Sequence, residues 1–152
     1  MLRFLRTAAV AGLAVGLAGC PDDELTCVDI DPACTPLYEP TWANVFDNTL
    51  APKCGVGGSS CHGGASPWGA LHLDDPTRAH ADLTRAGAGI VIAGEPSCSE
   101  MIMRLNASSS KLVMPRGSRL QDSEICALER WVAAGAPGPA PAAGGDATVS
   151  AP

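Results

Sequence analysis

The stretch that decides how this chain is read runs Lys53-Cys54-Gly55-Val56-Gly57-Gly58-Ser59-Ser60-Cys61-His62-Gly63. It puts two thiols and an imidazole on one short segment, with Cys61 and His62 adjacent and six residues between the cysteines. Three of those six are glycine, which lets the segment bow outward at little steric cost and return Cys54 towards Cys61. A plainer outcome is open to the same residues: a Cys54–Cys61 disulfide closing a small loop.

Upstream, Trp42, Val45, Phe46 and Leu50 fall at helical spacing over Thr41 to Leu50, with Thr41 after Pro40 as N-cap and Pro52 beyond the end. Downstream, a helix is predicted near Pro76 to Arg85, capped by Asp74 or Asp75, with Pro76 in the first turn where a missing amide proton matters least. A third follows Ser97 through Met101, Ile102 and Leu105. The clearest spans Asp122 to Ala134: Ile125, Leu128, Trp131 and Val132 form one apolar stripe, Asp122 and Glu124 suit the positive helix end, and Gly135 stops it. Between the helices the chain is mostly loop, and only Leu71-His72-Leu73 and Ile90-Val91-Ile92 hint at strand. From Thr41 to Ala134 there are four aromatic residues, a thin core that a large flat apolar cofactor would help to complete.

The whole chain of 152 residues carries 10 basic against 16 acidic side chains, net −6, with a pI near 4.8. That balance argues against nucleic-acid binding, which needs a basic surface. No Ser-His-Asp set, paired catalytic carboxylates or phosphate-cradling loop stands out. Residues 1–19 read as an export signal: Arg3 and Arg6, then a short apolar run, then Leu17-Ala18-Gly19 before Cys20. The small residues before that cysteine resemble a bacterial lipobox, which implies lipidation at Cys20 and a place in the cell envelope, facing the periplasm or the exterior. Residues 20–40 read as a tether, 41–136 as the domain, and 137–152 as a disordered tail rich in Ala, Gly and Pro. Without Cys20, six cysteines remain, an even number in an oxidising compartment. Cys27 and Cys34 are near neighbours able to staple the stretch before the first helix.

Two thiols can add across the vinyl groups of haem and hold a histidine directly after the second thiol under the iron. In this the chain resembles the mono-haem c-type cytochromes, especially the small exported domains of myxobacteria and planctomycetes. The parts follow in that family's order: a first helix, Cys…Cys-His, the Gly69–Leu73 turn, the Gly94–Ser99 step into a helix, Met114-Pro115, and a last helix ending in Trp131…Gly135-Ala136. One departure stands out, because the usual attachment motif has two residues between its cysteines and this chain has six. The wide gap leaves two thioethers, a single one from Cys61, or none open. The resemblance implies a mainly α, small cytochrome c-like domain with long loops, binding haem c through Cys54 and Cys61 with iron held by His62 and Met114.

Met114, on a loop between two helices, is placed to cross to the opposite haem face, where a thioether raises the reduction potential and closes the iron to substrates. Met101 and Met103 compete from a helix, where packing is their simpler role. His72, expected to face solvent between Leu71 and Leu73, and His80, on a weakly amphipathic helix, are alternative ligands. Cys98 and Cys126 are expected to form a disulfide joining the last two helices; with Cys27–Cys34, that leaves the two thiols beside His62. Trp68 is expected at the pocket and Trp131 against the first helix. The favoured function is a lipid-anchored electron carrier, not an enzyme, steered by its negative charge to a partner with a basic docking face. The alternatives are a haem-free, disulfide-stapled envelope lipoprotein with a structural or interaction role, and a small peroxidase with His62 as sole axial ligand.

Overall fold

The computed structural model describes residues 24–58 and 61–140; the expected signal segment, Cys20 and most of the expected tail lie outside them. Helix α1 (Trp42–Val45), a π-helical turn (Phe46–Leu50) and α2 (Ala51–Lys53) follow one another without a break. Then come α3 (Pro76–Leu83), α4 (Glu100–Asn106) and α5 (Asp122–Ala133). Short 3-10 turns occupy Trp68–Ala70 and Pro96–Cys98, and no strand occurs among the described residues. The mainly α architecture expected from the sequence is the one adopted.

The first helical rod runs through Pro52 instead of ending before it. A proline inside a helix lacks an N–H and crowds the carbonyl four residues back. The π turn just before Pro52 widens the coil, with Ala51 N–H donating to the Phe46 carbonyl five residues away, and so gives the ring room. The caps follow sequence logic more closely. Thr41 Oγ1 accepts from Asn44 N–H at 3.3 Å, and the Asp75 carboxylate accepts from Arg78 N–H at 2.8 Å. At α5, Gln121 and Glu124 form a reciprocal capping box. Glu124 is also buried and receives the Lys53 ammonium, tying the end of α2 to the start of α5.

The core forms where these elements meet. Trp131 is fully buried and its ring centroid lies 5.2 Å from that of Trp42, so α5 packs on α1 as its stripe requires. Ile125, Leu128 and Val132 are buried beside it, with Ile102 and Leu105 from α4 and Leu73 and Leu83 from the middle of the chain. Each such side chain contributes roughly 1.5–3 kcal/mol of burial. Ser99, also buried, spends its hydroxyl on the preceding turn: Oγ accepts from Ile92 N–H at 2.8 Å and donates to the Glu95 carbonyl at 2.9 Å.

The disulfides differ from the expected pairs. Cys27 joins Cys98 and Cys34 joins Cys126, in place of Cys27–Cys34 and Cys98–Cys126. The physical reason is the course of the N-terminal segment, which lies along the domain and does not curl on itself. Val28 N–H donates to the Ser97 carbonyl and Leu37 N–H to the Ser123 carbonyl, each at 2.9 Å, and the Arg130 guanidinium donates to the Pro32 carbonyl. Much of the stretch read as a tether is therefore a strap built into the fold. At the other end, Trp131 Nε1 donates to the Pro137 carbonyl at 3.0 Å, and Gly138 lies against the His80 ring, so the first residues of the expected tail pack too.

Candidate functional site

Despite the six-residue gap, the backbone returns Cys54 to His62. His62 N–H donates to the Cys54 carbonyl at 3.1 Å, while Leu73 N–H donates to the His62 carbonyl at 2.6 Å. The approach is close enough to require glycine. A Cβ on Gly63 would sit 1.9 Å from the Gly55 carbonyl oxygen, and one on Gly55 would sit 2.2 Å from that of Leu73. These two glycines pinch the base of the loop.

The imidazole is oriented from its far side. Trp68 N–H donates to the Cys61 carbonyl at 2.8 Å, and His62 Nδ1 lies 3.1 Å from the Trp68 carbonyl. A carbonyl only accepts, so Nδ1 carries the proton and Nε2 keeps its lone pair. Burial holds His62 below the usual histidine range, outweighing the bond to Trp68 that pulls the other way, and nearby Arg104 adds to the lowering. A neutral, fixed imidazole with a backbone carbonyl behind it is the usual arrangement of a metal-binding histidine.

Cys54 and Cys61 are both free thiols. The new disulfide pairing thus leaves the same two sulfurs beside His62 that the expected pairing left. Burial first, and Cys61 beside it second, push the Cys54 thiol up to about 11, so it remains S–H at neutral pH.

Cys54, His62 and Met114 line one cavity of about 660 Å³, within the range of small-molecule and cofactor sites. Its apolar walls include Leu50, Leu71, Leu83, Ile90 and Leu128. Met114 is held there because its N–H donates to the Arg104 carbonyl at the end of α4, at 3.1 Å. Cys61 is half-buried next to His62 but is not part of the lining. Trp68 lines the cavity mouth as expected, 68% exposed. Met101 lines the same cavity, whereas Met103 lines a smaller one of about 290 Å³ beneath the N-terminal strap.

His72 and His80 do not reach the cavity. His72 does not face solvent as expected: only 16% of its side chain is exposed, and Nδ1 lies 2.9 Å from the Asp82 carboxylate, on α3. His80 sits edge-on to Trp42 and Trp131, with Nε2 3.0 Å from the Ala136 carbonyl. Sequence reasoning missed the Trp68 carbonyl, which carries no side-chain signal, and the cations Arg85, Arg104, Lys111 and Arg116 that line the cavity. No group of three or more His, Cys, Asp or Glu able to hold a bare metal ion occurs among the described residues. None of the described helices is long and apolar enough to cross a membrane.

The described residues form a small helical domain with long loops, and its apolar cavity is lined by an oriented imidazole, a thiol and a thioether. Residues 59–117 match the family model described as Planctomycete cytochrome C, which supports a cytochrome c-like domain in this part of the chain. The matched span contains Cys61-His62 and Met114-Pro115 and begins after Cys54. No curated protein and no solved structure matches the chain.

Proposed function

We propose that this chain is a lipid-anchored electron carrier of the cell envelope that binds one haem c, with His62 and Met114 as axial ligands and Cys61 and Cys54 as attachment sulfurs. The observation that carries the proposal is the hydrogen bond from His62 Nδ1 to the Trp68 carbonyl, which leaves Nε2 as a donor in a cavity that also receives Met114 and Cys54. Two such donors are too few to hold a bare ion, and they suit an iron whose remaining ligands come with a macrocycle. The apolar walls suit a flat apolar ring and exclude water from it. When bound, the haem supplies a one-electron Fe(II)/Fe(III) couple. The protein's part is to fix the imidazole through Trp68, to position the thioether through the Arg104 carbonyl, and to hold Cys54 beside His62 through the pinched glycines. Cys20 would carry the lipid.

The mature chain, produced in a host with haem-attachment machinery, is expected to keep its haem after denaturation and to gain the haem's mass. A colourless product whose Cys54 and Cys61 are bridged to each other would refute the reading and favour the stapled lipoprotein. Met114→Ala is expected to abolish a thioether-to-iron absorption band and lower the reduction potential; an unchanged spectrum would remove Met114 from the site.

A further inference from the structure

The loop that carries Met114 is held by arginines. A thioether brings no charge to an iron, so a bound Met keeps its place only as well as its loop is fixed. Arg104 grips that loop twice. Its backbone carbonyl accepts from Met114 N–H at 3.1 Å, and its guanidinium Nη1 donates to the Leu112 carbonyl at 3.3 Å. The same guanidinium is aimed by Glu100, one turn earlier on α4, whose carboxylate accepts from Nε at 2.7 Å. An arginine suits this task, because its fork reaches two acceptors from one rigid plane. Arg116 adds a third hold, donating from Nη2 to the Lys111 carbonyl at 3.1 Å. Within the loop, Leu112 N–H and Val113 N–H both donate to the Ser109 carbonyl, at 3.0 and 2.9 Å. Glu100, Arg104, Leu112 and Met114 all line the main cavity, so the grip is part of the site itself.

We propose that Arg104 is the positioning residue of the Met114 ligand: its guanidinium, aligned by Glu100, pins the Leu112 carbonyl and so keeps Met114 at the cavity against competing ligands. The proposal rests on the electron-carrier reading, in which Met114 closes the iron, and goes beyond it by naming the side chain that decides how firmly. Glu100 and Arg104 stand at i and i+4 on one helix with the acid first, the favoured order for such a pair. The fork is therefore set in place by α4 before the loop is laid against it. Loss of an outer contact that orients a ligand typically weakens ligation about 10–100-fold, and a side chain 32% exposed belongs at the low end of that range.

The test uses the haem-loaded mature chain and imidazole, a small ligand that competes with a thioether for the iron. Arg104→Gln is expected to bind imidazole about tenfold more tightly than the parent. Arg104→Lys, which keeps the charge but not the fork, is expected to behave like Arg104→Gln. Arg119→Gln, which removes a cation from the exposed pair with Asp122 outside the cavity lining, is expected to leave the affinity unchanged. Full rescue by lysine would show a charge effect in place of a grip and overturn the proposal. An unchanged affinity in Arg104→Gln, or an equal shift in Arg119→Gln, would overturn it as well. Amide exchange gives a second readout that needs no haem: in Arg104→Gln the amides of Leu112 to Met114 are expected to exchange about tenfold faster, with those of α5 unchanged. Exchange that rises equally throughout the domain would mean general loosening and would also count against the grip. A parent protein without haem, or with haem but no thioether-to-iron band, would instead overturn the reading on which the proposal rests; exchange at Leu112 to Met114 then still decides whether Arg104 holds the loop.

Discussion

Glu129 is the clearest example of a single side chain held against its ordinary chemistry. It is buried on α5 and accepts a hydrogen bond from Asn106 Nδ2 at 3.3 Å, without a cation bonded to it among the described residues. Burial raises its pKa above the ordinary 4.5, and the Asn106 bond and Arg130 only partly oppose that. A carboxyl with a raised folded-state pKa binds more protons folded than unfolded, so stability gains as pH falls through the folded pKa and loses as pH rises through it. Glu129→Gln keeps an acceptor for Asn106 and removes the charge. It is expected to stabilise the domain by about 1 kcal/mol at neutral pH, with the advantage shrinking in acid. Paired thermal melts at both pH values check this; a neutral-pH loss would contradict it. His62 is the opposite case at this scale, a base kept neutral by burial so that its lone pair is available.

Among the elements, the loop from Cys54 to His62 depends on two glycines for different reasons than conformational freedom. Gly63 has no room for a Cβ, because the Gly55 carbonyl is already there. Gly63→Ala is therefore expected to cost about 3 kcal/mol and to open the Cys54–His62 contact. Gly87→Ala, at a positive φ of 76° but with open space around it, should cost only about 1 kcal/mol. Urea titration of the two variants separates them, and equal losses would mean that the close approach is not needed. The element scale is also where the sequence was most legible. α5 announces itself by Ile125, Leu128, Trp131 and Val132, and Asp75 caps α3, because these features depend on residues within a turn or two. Pro52 misled for the same reason: proline normally ends a helix, and the π turn that accommodates it has no local residue pattern of its own.

At the scale of the molecule, two disulfides bind the N-terminal strap to the helices across 71 and 92 residues of chain. Loops of that length lose a large conformational entropy when closed in the unfolded state, which favours the folded one by about 4 kcal/mol per bridge in the chain-entropy view. Replacing Cys27 and Cys98 together by serine is expected to cost about 2–5 kcal/mol and to increase amide exchange along Val28 to Leu37. Denaturant unfolding with hydrogen exchange tests both; exchange confined to the far side of the domain would show that the strap holds without its bridge.

What the sequence by itself determined is local: the Cys61-His62 adjacency, the periods of the helices, the caps, and the Met114-Pro115 step, which lies within the span 59–117 that matches the family model. What only the tertiary structure decided is which distant groups meet. The partners of Cys27 and Cys34, the carbonyl behind His62, the clamp of His72 by Asp82, and the gathering of four cations at one cavity all join residues that no short pattern relates. Short-range preferences are written in neighbouring side chains, whereas long-range contacts follow from how the apolar stripes pack, and that packing exists only once the chain has closed on itself.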